Sequence, residues 1–218
     1  MKKITVIHTS LAIRDAVDRE LQQAMPDCKI YNIIDEKMLQ DVVDHGGVYP
    51  SIFRRMNMYI AAAEAMGVDA ILNACSSVGE AFDMARKTTE IPTFRIDEPM
   101  AQLVVDTGKR IAVYGTVATT LKPSSALIRN LAAKQGKDVV VDSILIDGAF
   151  DVLSKEKNPE KHNSMVMERI NATQQDYDVI VLAQASMTIL VPLLQSLGKP
   201  VLYSLKTGIA RVKEVLEA

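Results

Sequence analysis

Excess positive charge is the first thing this 218-residue sequence lacks. Its 25 basic and 27 acidic side chains leave a net charge of −2. Nothing in that balance neutralises a phosphate backbone, so nucleic acid is not expected as a partner. Long hydrophobic runs are missing too. Ile60–Ala63 and Val179–Ala183 fall far short of the roughly 20 residues that cross a bilayer, and no membrane partner is expected. With 10 Gly and 8 Pro, the chain is neither low-complexity nor collagen-like. Cysteine is scarce: Cys28 and Cys75 are the only two, too few for the disulfide framework of a small secreted domain. Any signal-peptide core after Met1-Lys2-Lys3-Ile4 is cut off by His8-Thr9-Ser10 and then Arg14-Asp15. Together with eleven methionines, these features lead us to expect a soluble cytoplasmic protein.

What is present is an ordinary globular composition, 48% hydrophobic and 24% charged, in a length that suits one large or two small domains. Short β-branched runs alternate with longer stretches of helical spacing. Lys3–His8, Lys29–Ile34, Ala70–Ala74 and Thr93–Ile96 read as strands. Leu11–Met25, Asp35–Val43, Ser51–Met66, Val78–Lys87 and Asp97–Thr107 read as helices. The pattern then restarts. Strands are expected at Arg110–Tyr114, Val139–Ile146, Val179–Ala183 and Val201–Ser204. Helices are expected at Ser124–Gln135, Met165–Gln175, Pro192–Leu197 and Gly208–Leu216. Gly115–Thr120 reads as a loop, and Lys155–Asn163 as a polar, solvent-facing insert that carries His162. His45-Gly46-Gly47 reads as a mobile loop, a candidate lid.

Strands separated by crossover helices imply parallel sheets covered on both faces. Two rounds imply two such sheets. The repeat shows in the offsets. Asp69-Ala-Ile-Leu-Asn-Ala-Cys75 aligns with Asp178-Val-Ile-Val-Leu-Ala-Gln184, 109 residues on, since 184 − 75 and 178 − 69 agree. Lys3-Ile-Thr-Val-Ile-His-Thr9 aligns with Arg110-Ile-Ala-Val-Tyr-Gly-Thr116 at 116 − 9 = 107. The fold expected is therefore α/β, a duplicated parallel-sheet unit with pseudo-twofold symmetry. Residues 1-97 form the first domain and 98-206 the second, with the helix at 207-218 packing back on the first.

Ligands of open parallel sheets bind beyond the carboxyl ends of the strands. Here those ends are small and polar: His8-Thr9-Ser10, Asn73-Ala74-Cys75-Ser76-Ser77, Gly115 to Thr120, and Gln184-Ala185-Ser186. Should the halves face each other, all four would line one cleft. Hydroxyls, amides and helix N-termini suit a small carboxylate. Cys75 stands out because it ends a strand and begins a helix, where the dipole is expected to lower a thiol pKa toward neutrality. A thiolate there could take a proton or attack carbon; the plainer alternative is a small buried apolar residue. His8 is either a titrating partner or a hydrogen-bonded loop residue. Cys28 reads as structural. Ser77-Val-Gly-Glu80 has capping-box spacing, and Asp97 reads as a helix cap. No Gly-x-Gly-x-x-Gly, P-loop or zinc spacing occurs.

At Asn73-Ala-Cys75-Ser-Ser, Tyr114-Gly-Thr-Val-Ala-Thr-Thr120 and Leu182-Ala-Gln-Ala-Ser-Met187, the sequence resembles the aspartate/glutamate/hydantoin racemase superfamily over nearly its whole length. The resemblance implies two flavodoxin-like domains with the active site between them. It also implies one cysteine from each half on opposite faces of the substrate's α-carbon, and no cofactor. Cys75 matches the first family cysteine. The second falls on Gln184, which cannot exchange a proton, and the family's usual acid after the first strand is His8 here.

The reading is a cofactor-independent isomerase of a small carboxylate or oxo-acid that uses the single thiol of Cys75, with His8 as a candidate partner acid. Thr9, Ser10, Asn73, Ser76, Ser77, Thr116, Thr119, Thr120, Gln184 and Ser186 are the expected substrate-binding residues. No metal is expected. Two alternatives remain: a single-thiol decarboxylase or hydrolase of a malonate-like or β-oxo acid, and a non-catalytic small-acid binder. The stripe of Met56, Met58 and Tyr59 would serve either core packing or a homo-oligomer contact.

Overall fold

A computed structural model describes all 218 residues, apart from the side chain of Ala12. The chain divides into two compact units, Met1–Pro99 with Leu205–Ala218, and Met100–Ser204.

The first unit carries a four-stranded parallel sheet of β1 (Lys3–His8), β2 (Lys29–Ile34), β3 (Ala70–Asn73) and β4 (Thr93–Arg95), in the order β2-β1-β3-β4. The inner strands are almost unbroken apolar runs because helices cover both faces; Ile4, Val6, Ile7, Ile71 and Leu72 are fully buried. The helices are α1 (Arg14–Ala24), α2 (Glu36–His45), α3 (Pro50–Ala65) and α4 (Gly79–Ala85). The second unit opens in α5 (Glu98–Thr107), whose first residues, Glu98 and Pro99, belong to the first. It repeats the sheet with β5 (Arg110–Gly115), β6 (Val140–Leu145), β7 (Val179–Leu182) and β8 (Val201–Tyr203) in the order β6-β5-β7-β8. Its helices are α6 (Ala118–Lys134), α7 (Ala149–Ser154), α8 (Pro159–Thr173) and α9 (Val191–Leu194). The last helix, α10 (Ser204–Glu217), has all but its first residue in the first unit. There a Cβ at Gly208 would come 2.5 Å from the Ile96 carbonyl oxygen, so glycine sets how closely α10 lies on the end of β4.

The repeat extends to side chains. Asp69 accepts the Lys3 N–H at 2.7 Å, at the start of β1. Its counterpart Asp178 accepts the N–H groups of Lys109 and Arg110 at 3.0 and 2.8 Å, at the start of β5.

Several expectations need correction. Residues 118–123 are helical: α6 begins at Ala118 and accommodates Pro123, placing Thr119 and Thr120 in its first turn. Pro123, the sixth residue of α6, gives up only the hydrogen bond that its N–H would have made to the Thr119 carbonyl. The polar stretch 155–163 is exposed from 155 to 161, as expected, but its second half opens α8. Asn158 caps α8 by accepting the Lys161 N–H, Pro159 takes the first helical position, and His162 is fully buried. A run rich in Lys and Glu hid one buried face. The 45–47 segment is no loose lid: Gly46, at φ 72°, closes α2, and His45 stacks on Tyr49 with ring centroids 3.9 Å apart. Asp35 caps α2 and also binds Arg55 and Tyr59 of α3, tying the two helices together. In α3, Met56 is buried and Met58 is 66% exposed, so the stripe is split between core and surface. No helix among the described residues is long and apolar enough to cross a membrane.

Candidate functional site

In the first unit the polar side chains gather where β1 and β3 end. Cys75 follows β3 in extended conformation, at φ −132° and ψ 114°, and leads into a short 3-10 turn, Ser76–Val78, before α4. Its peptide is bracketed by Asn73, whose amide donates to the Cys75 carbonyl at 2.9 Å and accepts the Cys75 N–H at 3.4 Å. Asn73 thus spends both polar ends on holding the backbone that presents the sulfur. Thr9, 3% exposed, and the neighbouring Ser77 and Val78 favour the ionised form of that sulfur, although Cys75 makes no side-chain cap bond to the turn it precedes.

These neighbours do not prevail. Burial pushes the Cys75 thiol above its ordinary value, with the hydrogen bonds from Thr9, Ser77 and Val78 pulling the other way. The expected drop toward neutrality is corrected accordingly. The physical reason is local: a three-residue 3-10 turn and a seven-residue helix offer a small dipole, while desolvation acts on the whole charge. The capping box is corrected as well. Val78, not Ser77, occupies the cap position of α4 without a side-chain cap bond, and Ser77 is buried against Cys75.

His8 is fully buried. Its Nε2 pairs with Asn32 Oδ1 at 2.9 Å, and Asn32 donates in turn to Asp18 of α1 at 2.9 and 3.1 Å. Burial holds the His8 imidazole below its ordinary value, partly offset by the Asn32 hydrogen bond and the Asp18 charge. Its Nδ1 has no partner among the described residues. The geometry therefore ties His8 to Asn32 and Asp18, and Thr9 to Cys75. Ser10 and Ser76 are half-buried beside them in sequence. Cys28 is buried, and burial raises its thiol pKa.

The second unit builds the same corner with different chemistry. Gln184 stands after β7 where Cys75 stands after β3, and Thr116 after β5 where Thr9 follows β1. The Thr116 N–H and hydroxyl both donate to Gln184 Oε1, the hydroxyl at 3.0 Å. A backbone N–H can only donate, so the amide oxygen must face Thr116 and the NH₂ must face away. Gln184 is therefore a fixed donor. A Cβ at Gly115 would stand 3.3 Å from that oxygen and 3.0 Å from Leu121. Thr119, Thr120 and Ser186 are half-buried on the first turns of α6 and the 3-10 segment Ala185–Leu190. Thr119 Oγ1 is enclosed with no partner among the described residues.

Sequence reasoning missed one cluster. Arg95, at the end of β4 and 4% exposed, grips Asp97 through Nε and an Nη nitrogen at 2.9 and 2.8 Å, and Asp83 at 2.6 Å. Asp97 serves Arg95 rather than acting only as a helix cap. The signal was the Arg-Ile-Asp spacing at a strand end, which puts both side chains on one side. Among the described residues no group of three or more His, Cys, Asp or Glu is placed to hold a metal ion.

With this geometry in place, the comparisons are informative. The family model described as Asp/Glu/Hydantoin racemase matches residues 4–212. Allantoin racemase from Klebsiella pneumoniae is similar in structure at TM-score 0.71 and 21% identity, covering 100% of this chain and 88% of that one. Glutamate racemase from Thermus thermophilus, solved with β-chloro-D-alanine, gives 0.74 and 19%, covering 99% and 80%. Aspartate racemase from Picrophilus torridus gives 0.71 and 12%, covering 100% and 95%. No curated protein sequence matches.

Proposed function

The chain belongs to the Asp/Glu/Hydantoin racemase family and is a racemase-type isomerase, and from that premise we propose that it moves protons through one thiol, Cys75, on a small carboxylate or oxo-acid without a cofactor. The observation that carries this is the polar corner around a single sulfur: Asn73 holds the Cys75 peptide from both sides, and Thr9, Ser77 and Val78 favour the ionised form. Such neighbours are placed for the thiolate.

In this reading the half-buried Cys75 resists ionisation at rest because its sulfur is desolvated. It becomes a base once its proton passes to solvent water, takes the proton next to the substrate's carboxylate, and returns that proton from the thiol to the carbanion. Gln184 donates amide hydrogens to the carboxylate oxygens and exchanges no proton. Thr116 fixes its orientation, and Thr9, Ser10, Ser76, Ser77, Thr119, Thr120 and Ser186 supply the remaining contacts. Asn73 acts through the Cys75 backbone. His8 is the candidate second acid, but its Nε2–H is committed to Asn32 Oδ1, so its buried, unpartnered Nδ1 must take up a proton before it can deliver one.

Glutamate, aspartate and allantoin, the compounds named for the similar proteins, head a panel of small acids and ureides. Incubation in heavy water should exchange the proton at the stereocentre, and Cys75→Ser should abolish exchange while leaving the circular dichroism spectrum intact. Full exchange in that variant would remove the sulfur from the reaction. The amide in place of a second thiol also favours a one-sided alternative, decarboxylation of a malonate-like or β-oxo acid with protonation by Cys75. Carbon dioxide release marks it. Ligand-induced thermal stabilisation that persists in Cys75→Ser, with no exchange or carbon dioxide from any acid, would mark a binder instead.

A further inference from the structure

The guanidinium of Arg95 is nearly sealed from solvent, yet it is not spent on an isolated ion pair. Its three contacts, two to Asp97 and one to Asp83, hold it flat at the end of β4. Asp83 lies on α4, and Asp97 follows β4 directly. The guanidinium also lies against the first residue of α4. A Cβ at Gly79 would stand 2.4 Å from one Arg95 Nη nitrogen, 2.5 Å from Cζ and 2.9 Å from the other Nη. Gly79 has an ordinary helical φ of −56°, so its backbone conformation does not call for glycine. The close approach of Arg95 does.

Gly79 directly follows Val78, the last residue of the turn that Cys75 leads into, and Ser77 and Val78 favour the ionised form of the Cys75 sulfur. On the other side, Arg95 is the register partner of Asn73, the residue that brackets the Cys75 peptide. Arg95 therefore touches both ends of the Cys75 turn through its neighbours. A positive charge at a helix N-terminus is unfavourable on its own. Two carboxylates are committed to offset it, and Arg86 binds Asp83 and Glu98 beside them.

We propose that Arg95 is a positioning residue: clamped by Asp97 and Asp83, it presses on Gly79 and holds the Ser76–Val78 turn in place beside Cys75. This rests on the reading of Cys75 as the reacting thiol, but its test does not need turnover.

The test is the pH dependence of Cys75 alkylation by iodoacetamide, read on the Cys75 peptide by mass so that buried Cys28 does not contribute. Gly79→Ala keeps every charge and forces the guanidinium away. Arg95→Lys keeps the charge and loses the fork. In both, the alkylation midpoint should rise by about one pH unit, lowering the rate at pH 8 roughly tenfold. Asp83→Asn alters a half-exposed side chain, which keeps a folded protein in hand, and should shift the midpoint the same way by less. A packing role alone would lower Tm and leave the midpoint of the folded protein where it was. Unchanged midpoints in the variants that fold, Asp83→Asn included, overturn the proposal. If the midpoints shift in a protein that exchanges no substrate proton, the clamp stands and the proposed reaction falls.

Discussion

The two units repeat a strand order, a strand-start aspartate and a threonine after the first strand, and then differ in the group that the threonine faces. Thr9 faces a sulfur in the first unit, whereas Thr116 donates to an amide oxygen in the second. The frame is the same and the chemistry is not. A sulfur whose neighbours Thr9, Ser77 and Val78 favour its ionised form is arranged for negative charge. An amide oxygen that accepts two is arranged for orientation, and it turns an NH₂ outward. The difference separates a group that can carry a proton from one that can only hold a substrate.

The largest expected effect follows directly. Cys75→Ser should lower proton exchange by about 10³-fold or more, at the upper end of what a positioned acid or base contributes. Gln184→Ala should lower kcat/KM only about tenfold, the worth of one hydrogen bond to a charged group. Steady-state kinetics on the first acid found to exchange would check both. Equal losses at the two positions would erase the asymmetry.

Gln184→Cys sharpens the comparison by giving the second unit a thiol. Exchange at the second face should rise about 10²-fold if a proton donor is what that face lacks. The readout is deuterium incorporation from heavy water, starting separately from each enantiomer. If inversion does not increase, the missing donor lies elsewhere, and His8 becomes the residue to vary.

The sign of the pH effect follows from burial. Because desolvation raises the Cys75 pKa, the thiolate fraction at neutral pH is small and grows about tenfold per pH unit below that pKa. We expect kcat/KM to climb with pH and level off only above the ordinary thiol value of ~8.5. A plateau near neutrality would mean that Thr9, Ser77 and Val78 outweigh burial.

Much of this was legible in the sequence because it rests on short-range rules. The offsets of 107 and 109 residues exposed the repeat, since both copies need the same apolar strand followed by a small polar corner. Cys75 was legible because a strand end followed by Ser-Ser is a place where ligands bind. The direction of its pKa shift was not, because burial is a sum over neighbours that spacing does not reveal. His162 was misread for the same reason: its own stretch is charged, and only the packing of α8 buries it. Thr119 and Thr120 were read as part of a polar loop after β5, whereas α6 begins at Ala118 and runs through Pro123. The Arg95 clamp joins β4 to α4 across residues 79 to 97, and no local pattern announces that Gly79 must be small.

The smallest expected effect compares the two strand-start aspartates. Asp178 accepts two backbone N–H groups and Asp69 accepts one, so Asp178→Ala should lower Tm more than Asp69→Ala. The N–H groups of Arg110 and Lys109 hold the Asp178 carboxyl below its ordinary value. A group whose folded pKa is depressed adds stability above the unfolded value, near 3.9, and loses it as pH falls through the folded one. The Tm gap between parent and Asp178→Ala should therefore be full at neutral pH and close in acid. Thermal unfolding of the three proteins across that range would show it. A gap that persists after the carboxyl is protonated would mean that Asp178 acts by shape at the tight turn with Gly108, where a Cβ on the glycine would stand 2.8 Å from the Asp178 Cβ, and not by charge.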